Sequence, residues 1–197
     1  YSTDYVFDGS GSRPWSEEDA TAPLNAYGET KLAGENAIRE AGGKHLILRT
    51  SWSYGRHGNN FLKTMLRLAA QRSALQVVSD QVGAPTGTDL VADVTALLLR
   101  AVTGGTGPGG TYHLSCAGET SWHGYACYII TAARTLGMEL SVESVAPILS
   151  ASYRTAARRP LNSRLDTAKL RQQFDLYLPD WQEGVLRTLV DIKGQLP

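Results

Sequence analysis

An α/β fold with a mainly parallel sheet is what this sequence predicts, on three observations. Strand-like apolar runs alternate with helical stretches along the chain. The run at residues 45–51 is continuously apolar through His45-Leu-Ile-Leu before its arginine, the kind of strand that parallel sheets bury. The stretches between runs are punctuated by glycine and proline, with no repeat, low-complexity tract or long linker.

Each element follows from local chemistry. Residues 1–7 (Tyr-Ser-Thr-Asp-Tyr-Val-Phe) read as a strand, and residues 8–14 as a turn-rich loop. Residues 27–40 read as a helix, with Asn25 placed to cap its start and Gly42-Gly43 to stop it. The 45–51 strand comes next. A helix over 60–72 carries Phe61, Met65, Leu66, Leu68 and Ala69, and a short strand follows at 75–78. The loop 80–87 leads to a helix over 89–102 that Thr88 could cap. A glycine-rich loop at 104–110 precedes a strand at 111–115, and a helix follows Ser121 to about Leu136. A strand is expected at 140–145 and closing helices near 167–174 and 181–193, where Asp180 and Glu183 have capping-box spacing.

Composition excludes several classes of function. A chain of 197 residues suits one domain, or one with a small appendage, and can bury a core without disulfides or a structural metal. Lysine plus arginine equals aspartate plus glutamate at 19 each, so there is no basic excess for nucleic acid or a membrane surface. Arg158 and Arg159 are adjacent, but two arginines do not make a patch. Cys116 and Cys127 lack metal spacing and are too few for a secreted scaffold, so free thiols in a reducing, cytoplasmic compartment are expected. No run is long enough to span a bilayer, and no signal segment opens the chain. The chain opens inside a strand-like run without an initiator methionine, which leads us to expect a parent protein extending upstream.

The sharpest local feature is Tyr27-Gly-Glu-Thr-Lys31. Spacing of four on a helix puts the phenol and the ammonium on one face, about 5–6 Å apart at Cβ. An ammonium near a phenol favours the phenolate, which would make the phenol a usable proton donor to a carbonyl oxygen as hydride reaches its carbon. Taken alone, such a pair is equally a surface pair on an exposed helix face. Thr3, in the upstream strand, adds a hydroxyl that could hydrogen-bond the same oxygen. Hydroxyl, phenol and lysine together form a proton-delivery triad of the short-chain dehydrogenase type.

Several blocks then resemble the dTDP-4-dehydrorhamnose reductases of the extended short-chain dehydrogenase/reductase superfamily. They are Ser2-Thr-Asp-Tyr-Val-Phe-Asp-Gly9, Pro23-Leu-Asn-Ala-Tyr-Gly-Glu-Thr-Lys-Leu-Ala-Gly-Glu35, Arg49-Thr-Ser-Trp52, the run from Gly58 to Ala69, Asp80-Gln-Val-Gly-Ala-Pro-Thr-Gly87 and Arg159-Pro-Leu-Asn-Ser-Arg-Leu165. The resemblance implies a Rossmann-like sheet. Residues 1–120 would form part of an NAD(P)-binding domain, with substrate-region insertions near 53–88. Residues 121–197 would be mainly substrate-binding, with closing helices. It implies reduction of dTDP-4-dehydro-β-L-rhamnose to dTDP-β-L-rhamnose with NADPH or NADH. Tyr27 would give the proton to the C4 keto group. Lys31 would hold the nicotinamide ribose hydroxyls, so that both residues face the cofactor. Thr3 would orient the keto oxygen, and Asp4 would contact the sugar. Trp52 resembles the family's substrate-contacting tryptophan, with a core aromatic as its other reading. Residues 81–86 and 162–164 would wall the nucleotide-sugar pocket. Arg164 is a candidate for the diphosphate, or else a solvated surface arginine. Asp89 falls where relatives carry an acidic residue that shares a divalent metal such as Mg2+ across a homodimer.

The glycine-rich turn that grips the dinucleotide pyrophosphate in such enzymes is expected upstream of Tyr1. A formal GxGxxG exists at residues 105–110, but it follows a helix, precedes a strand and contains Pro108, so it reads as a connection rather than a phosphate loop. On this account the 197-residue piece alone should bind NADPH poorly and be inactive. The four histidines lack ligand spacing, and no serine sits in a nucleophile elbow. Two rivals stay open: another nucleotide-sugar reductase, epimerase or dehydratase of the superfamily, and a non-catalytic dinucleotide-binding regulatory relative. Tyr5 after Asp4, where dehydratases place an acid, speaks against a dehydratase, and retention of Thr3, Tyr27 and Lys31 speaks against the regulatory relative.

Overall fold

A computed structural model describes residues 1–153 and 157–194. In chain order its elements are β1 (Ser2–Thr3), α1 (Ala26–Glu40), β2 (Leu46–Thr50), β3 (Ser53–Tyr54), α2 (Phe61–Gln71), β4 (Ala74–Val78), β5 (Val82–Gly83), β6 (Thr86–Gly87), α3 (Thr88–Thr103), β7 (Gly110–His113), β8 (Thr120–Ser121), α4 (Trp122–Thr135), β9 (Ser144–Ile148), α5 (Ala168–Phe174) and α6 (Trp181–Lys193). The central sheet has three parallel strands in the order β1-β2-β7, with Thr3 level with Thr50 and Arg49 level with His113. Parallel neighbours need crossovers. α1 supplies the one from β1 to β2, and the long excursion through α2 and α3 the one from β2 to β7. Beside this sheet lie the parallel pairs β3-β6 and β4-β9 and the antiparallel pair β5-β8. The mainly parallel α/β architecture is therefore as the sequence indicates.

Most elements lie where local chemistry puts them. The Asn25 side chain accepts from Gly28 N at 3.0 Å, and Ser121 does the same for Gly124 N at the head of α4. Four expectations need correction. The 1–7 strand stops at Thr3, because the Thr3 hydroxyl accepts from Tyr5 N and turns residues Asp4–Val6 into a 3-10 helix. Thr88 does not cap α3: it is the first helical residue, behind Gly87, and the start has no side-chain cap bond. Asp180 occupies the cap position of α6 without the side-chain bond of a capping box, and Glu183 N bonds its backbone oxygen instead. The strand placed at 140–145 is β9, four residues later at its start, in register with β4 from Ala74↔Ser144 to Val78↔Ile148. Val142 is buried, but its N–H bonds Ala69 O, outside that ladder. Burial without a strand partner misled the pattern. The 80–87 loop also holds β5 and β6, each too short to show a period.

Two apolar clusters set the frame. One joins α2, α4 and α6 through Leu62, Met65, Tyr125, Ile129, Val185 and Leu189. The other joins β2, α3 and α5 through Leu48, Leu98, Leu114 and Leu170. The formal GxGxxG is indeed a helix-to-strand connection between α3 and β7. A Cβ at Gly109 would stand 2.6 Å from His45 O, so that glycine serves a close backbone approach.

Candidate active site

The site is built where β1 and β2 end. Thr3 and Thr50 share a level in the parallel sheet, so the chain leaving each strand opens on the same edge, where α/β sheets place ligands. The first exit carries Thr3, Asp4 and Tyr5; the second carries Trp52.

α1 brings Tyr27 to this edge, with Lys31 one turn farther along the helix. Its first turn lies against the turn after β1: a Cβ on Gly28 would come within 2.2 Å of Tyr5 O. Next to it, the Tyr27 ring meets the Tyr5 ring edge-on, with centroids 5.6 Å apart. Tyr27 is 54% exposed, and neither its hydroxyl nor the Lys31 ammonium has a hydrogen bond or ion pair among the described residues. Both polar ends are thus available to a ligand. Farther along α1, Glu35 is buried and gripped by the equally buried Arg49 of β2, with Nε–Oε1 2.8 Å and Nη2–Oε2 2.6 Å. Arg39 adds a third contact at 2.7 Å. Burial pushes the Glu35 carboxyl up, but hydrogen bonds and charge from Arg49, with a further hydrogen bond from Arg39, more than offset it and hold it below the usual range. This pair fixes how α1 is rotated on the sheet, and hence where Tyr27 points.

Thr3 and Asp4 are buried at the end of β1. The Thr3 hydroxyl donates to Asp4 Oδ1 at 3.1 Å and accepts from Tyr5 N at 3.2 Å. Asp4 is 2% exposed, and its Oδ2 has no hydrogen-bond partner among the described residues by geometry. Burial lifts its carboxyl to about 6, against the opposing pull of the Ser163 and Thr3 hydroxyls. Asp4, expected to contact the sugar, is enclosed at the end of β1 beside the equally buried Thr3.

Trp52 adopts φ 47°, a left-handed conformation uncommon for a side chain of its size. Its ring stacks on Trp122 at 3.7 Å, and Trp122 Nε1 donates to Gln81 Oε1 at 3.1 Å. Gly83 lies under the Trp52 ring, with Ser163 alongside. The 81–86 and 162–164 segments thus stand together, joined where Ser163 N donates to Val82 O and Val82 N donates to Leu161 O.

Beside these segments a cavity of about 940 Å³ is lined by Phe61, Gln81, Trp122, Arg72, Arg158 and Arg159 among others. Asn25 Nδ2 donates to Arg158 O at 2.8 Å, tying the cavity's rim to the start of α1. Sequence reasoning passed over these arginines; the adjacency of 158 and 159 was the only signal, and Arg72 reaches the same cavity from the end of α2. Arg164, the diphosphate candidate, has its fork on Glu119 instead, at 2.7 Å and 3.2 Å. Asp89 borders a separate cavity of about 220 Å³ with Asp93, Glu183 and Arg187. Among the described residues no three histidine, cysteine or acidic side chains come together as metal ligands, and nothing in these contacts supports the Mg2+ expected at Asp89. No helix among them is long and apolar enough to cross a membrane.

Comparison with known proteins places the chain among relatives of one family. The family model described as the RmlD substrate binding domain matches residues 1–193. The dTDP-4-dehydrorhamnose reductase of Shigella flexneri is 54% identical over 192 residues, which cover 98% of this chain and 64% of that protein. The chain therefore spans somewhat less than two thirds of that curated relative. Among solved structures, a dTDP-4-dehydrorhamnose reductase from Clostridium acetobutylicum superposes with TM-score 0.87 at 36% identity, over 98% of this chain and 64% of its own. One from Bacillus anthracis, in complex with NADP, gives 0.84 at 38% identity, over 96% and 64%.

Proposed function

Because this chain belongs to the RmlD substrate binding domain family, we propose that the full-length protein reduces dTDP-4-dehydro-β-L-rhamnose to dTDP-β-L-rhamnose with NADPH. What supports the proposal is the seating of Tyr27, one turn of α1 before Lys31, against Tyr5 in the chain that leaves β1 after Thr3, level with the exit of β2 toward Trp52, together with an arginine-lined cavity large enough for a nucleotide on the far side of Trp122. A bound nicotinamide dinucleotide would supply the hydride. The unengaged Lys31 ammonium and Tyr27 hydroxyl would hold its ribose. Tyr27 donates the proton to the keto oxygen as negative charge develops there, and Lys31 steadies the phenolate left behind. Thr3 hydrogen-bonds the same oxygen from the sheet side. Trp52, braced by Trp122, offers the sugar a flat apolar face. Arg158 and Arg159 suit the diphosphate better than Arg164, since their cavity adjoins α1 whereas Arg164 is held by Glu119.

In this proposal residues 1–120 carry the chemistry and part of the dinucleotide site, and residues 121–197 mainly the substrate side. A reducing, cytoplasmic setting suits the two free cysteines. The test is to supply a chain of the relatives' full length with dTDP-4-dehydrorhamnose and follow NADPH oxidation. Substrate-dependent oxidation is expected, and Tyr27→Phe should lower it by roughly 10²–10⁴-fold while NADPH still binds. Turnover near the wild-type rate in Tyr27→Phe would refute the proton-donor role.

A further inference from the structure

The Thr3 hydroxyl has one hydrogen to give, and in this structure it is already committed. It donates to Asp4 Oδ1 while a lone pair accepts from Tyr5 N. A hydroxyl in that state cannot also donate to a substrate. Asp4 meanwhile is enclosed, with Oδ2 unpartnered among the described residues, which is costly for a carboxylate and tolerable for a carboxylic acid. We propose that Asp4 sets the direction of the Thr3 hydrogen bond: as a carboxylic acid it donates to Thr3 Oγ1 and frees the Thr3 hydrogen for the substrate's keto oxygen, and as a carboxylate it claims that hydrogen for itself. Asp4 is then a positioning residue acting through Thr3. The inference rests on the proposed reduction in assigning the acceptor to a keto group, but not in its account of the Asp4–Thr3 pair.

The surroundings fit this role. From its own turn Asp4 is faced by the Thr3 hydroxyl and the Tyr5 phenol, and from the 162–165 segment by Ser163. Tyr27 of α1 and Arg159 stand one step farther out, both acting on Tyr5. Burial against hydroxyls lifts the Asp4 carboxyl to about 6, so both protonation states are within reach of ordinary pH. A substrate oxygen that needs a donor will favour the acid form further.

Two measurements test it. In the full-length enzyme, kcat/KM, which reports the free enzyme's groups, should fall on the order of tenfold as pH rises through about 6. That step should vanish in Asp4→Asn, which cannot ionise, and in Thr3→Val, through which it must act. A step that persists in either folded variant overturns the proposal. A residue that merely supported the fold would leave the pH profile's shape unchanged. The second measurement uses no substrate. Carboxyl-carbon NMR of protein labelled with ¹³C-aspartate should show one aspartate titrating near 6, shifted upward in Thr3→Val, because the Thr3 bond opposes the rise. If every aspartate titrates in the ordinary range, the proposal fails whatever the substrate proves to be. If the NMR shift is present and dTDP-4-dehydrorhamnose is not reduced, the assigned reaction fails and the Asp4–Thr3 pair stands.

Discussion

Gly28 shows how narrowly single residues are constrained here. It separates the reactive phenol from the rest of its helical turn, and a methyl group in its place would meet Tyr5 O at 2.2 Å and Pro23 Cβ at 2.9 Å. Gly28→Ala should therefore cost about 1–3 kcal/mol by overpacking. Because relief requires α1 to lift from the turn after β1, kcat should fall along with thermal stability. Unfolding curves and NADPH oxidation on the same preparations check this; an unchanged kcat would show that Tyr27 is not positioned by that contact. At this scale the sequence reveals residue types more readily than their partners. Tyr27, Lys31 and Thr3 stand out by type and spacing. The commitment of Arg164 to Glu119 joins residues 45 positions apart and leaves no local trace. Trp52 is similar, for its stacking on Trp122 could not be read from either residue's neighbours.

At the scale of elements, α1 depends on the buried pair that anchors it. An arginine in the middle of a buried strand looks like a defect in the apolar pattern. Its meaning becomes clear only when Glu35, fourteen residues earlier, is found against it at 2.8 Å and 2.6 Å. Breaking such a pair from one side leaves a buried charge behind, which typically costs about 3–5 kcal/mol. Arg49→Met should show that loss in urea unfolding, moderated by Arg39, and the double variant Glu35→Leu/Arg49→Met should recover a large part of it. A double variant no more stable than the single one would mean that the pair's contribution is not one of mutual charge compensation. The β9 error belongs to this scale as well. Val142 and Val145 share a pattern, but strand residues are those that find a ladder partner, and β4 offers its partners only from Ser144 onward.

For the whole molecule, two interior groups tie stability to pH in opposite senses. Asp4 is raised from 3.8 to about 6, chiefly by burial, so its contribution is fully present below about 4 and is lost as pH rises through 6. His113 is lowered from 6.5 to about 4, by burial and then by the Arg49 charge, so its contribution is present above 6.5 and is lost as pH falls through 4. Between those limits the two largely cancel. Asp4→Asn removes one side of the balance. Its stability relative to wild type should grow by on the order of 2–3 kcal/mol from pH 4 to pH 7, and its own stability should fall on acidification without compensation. Urea midpoints at several pH values measure this, and a constant difference between the two proteins would contradict the assignment of Asp4.

The alternation of strands and helices, the caps at Asn25 and Ser121 and the placing of Tyr27 and Lys31 on one helical face were all determined by the sequence itself. Each depends on groups within a few residues of one another, where backbone geometry and hydrogen-bond capacity decide the outcome. Tertiary structure alone decided that Asp4 is enclosed beside Thr3, that Arg49 holds Glu35, that Arg164 is occupied and that Arg72, Arg158 and Arg159 share a cavity. Those outcomes turn on desolvation and on contacts between distant segments, and a charged side chain's role is set by what is buried with it.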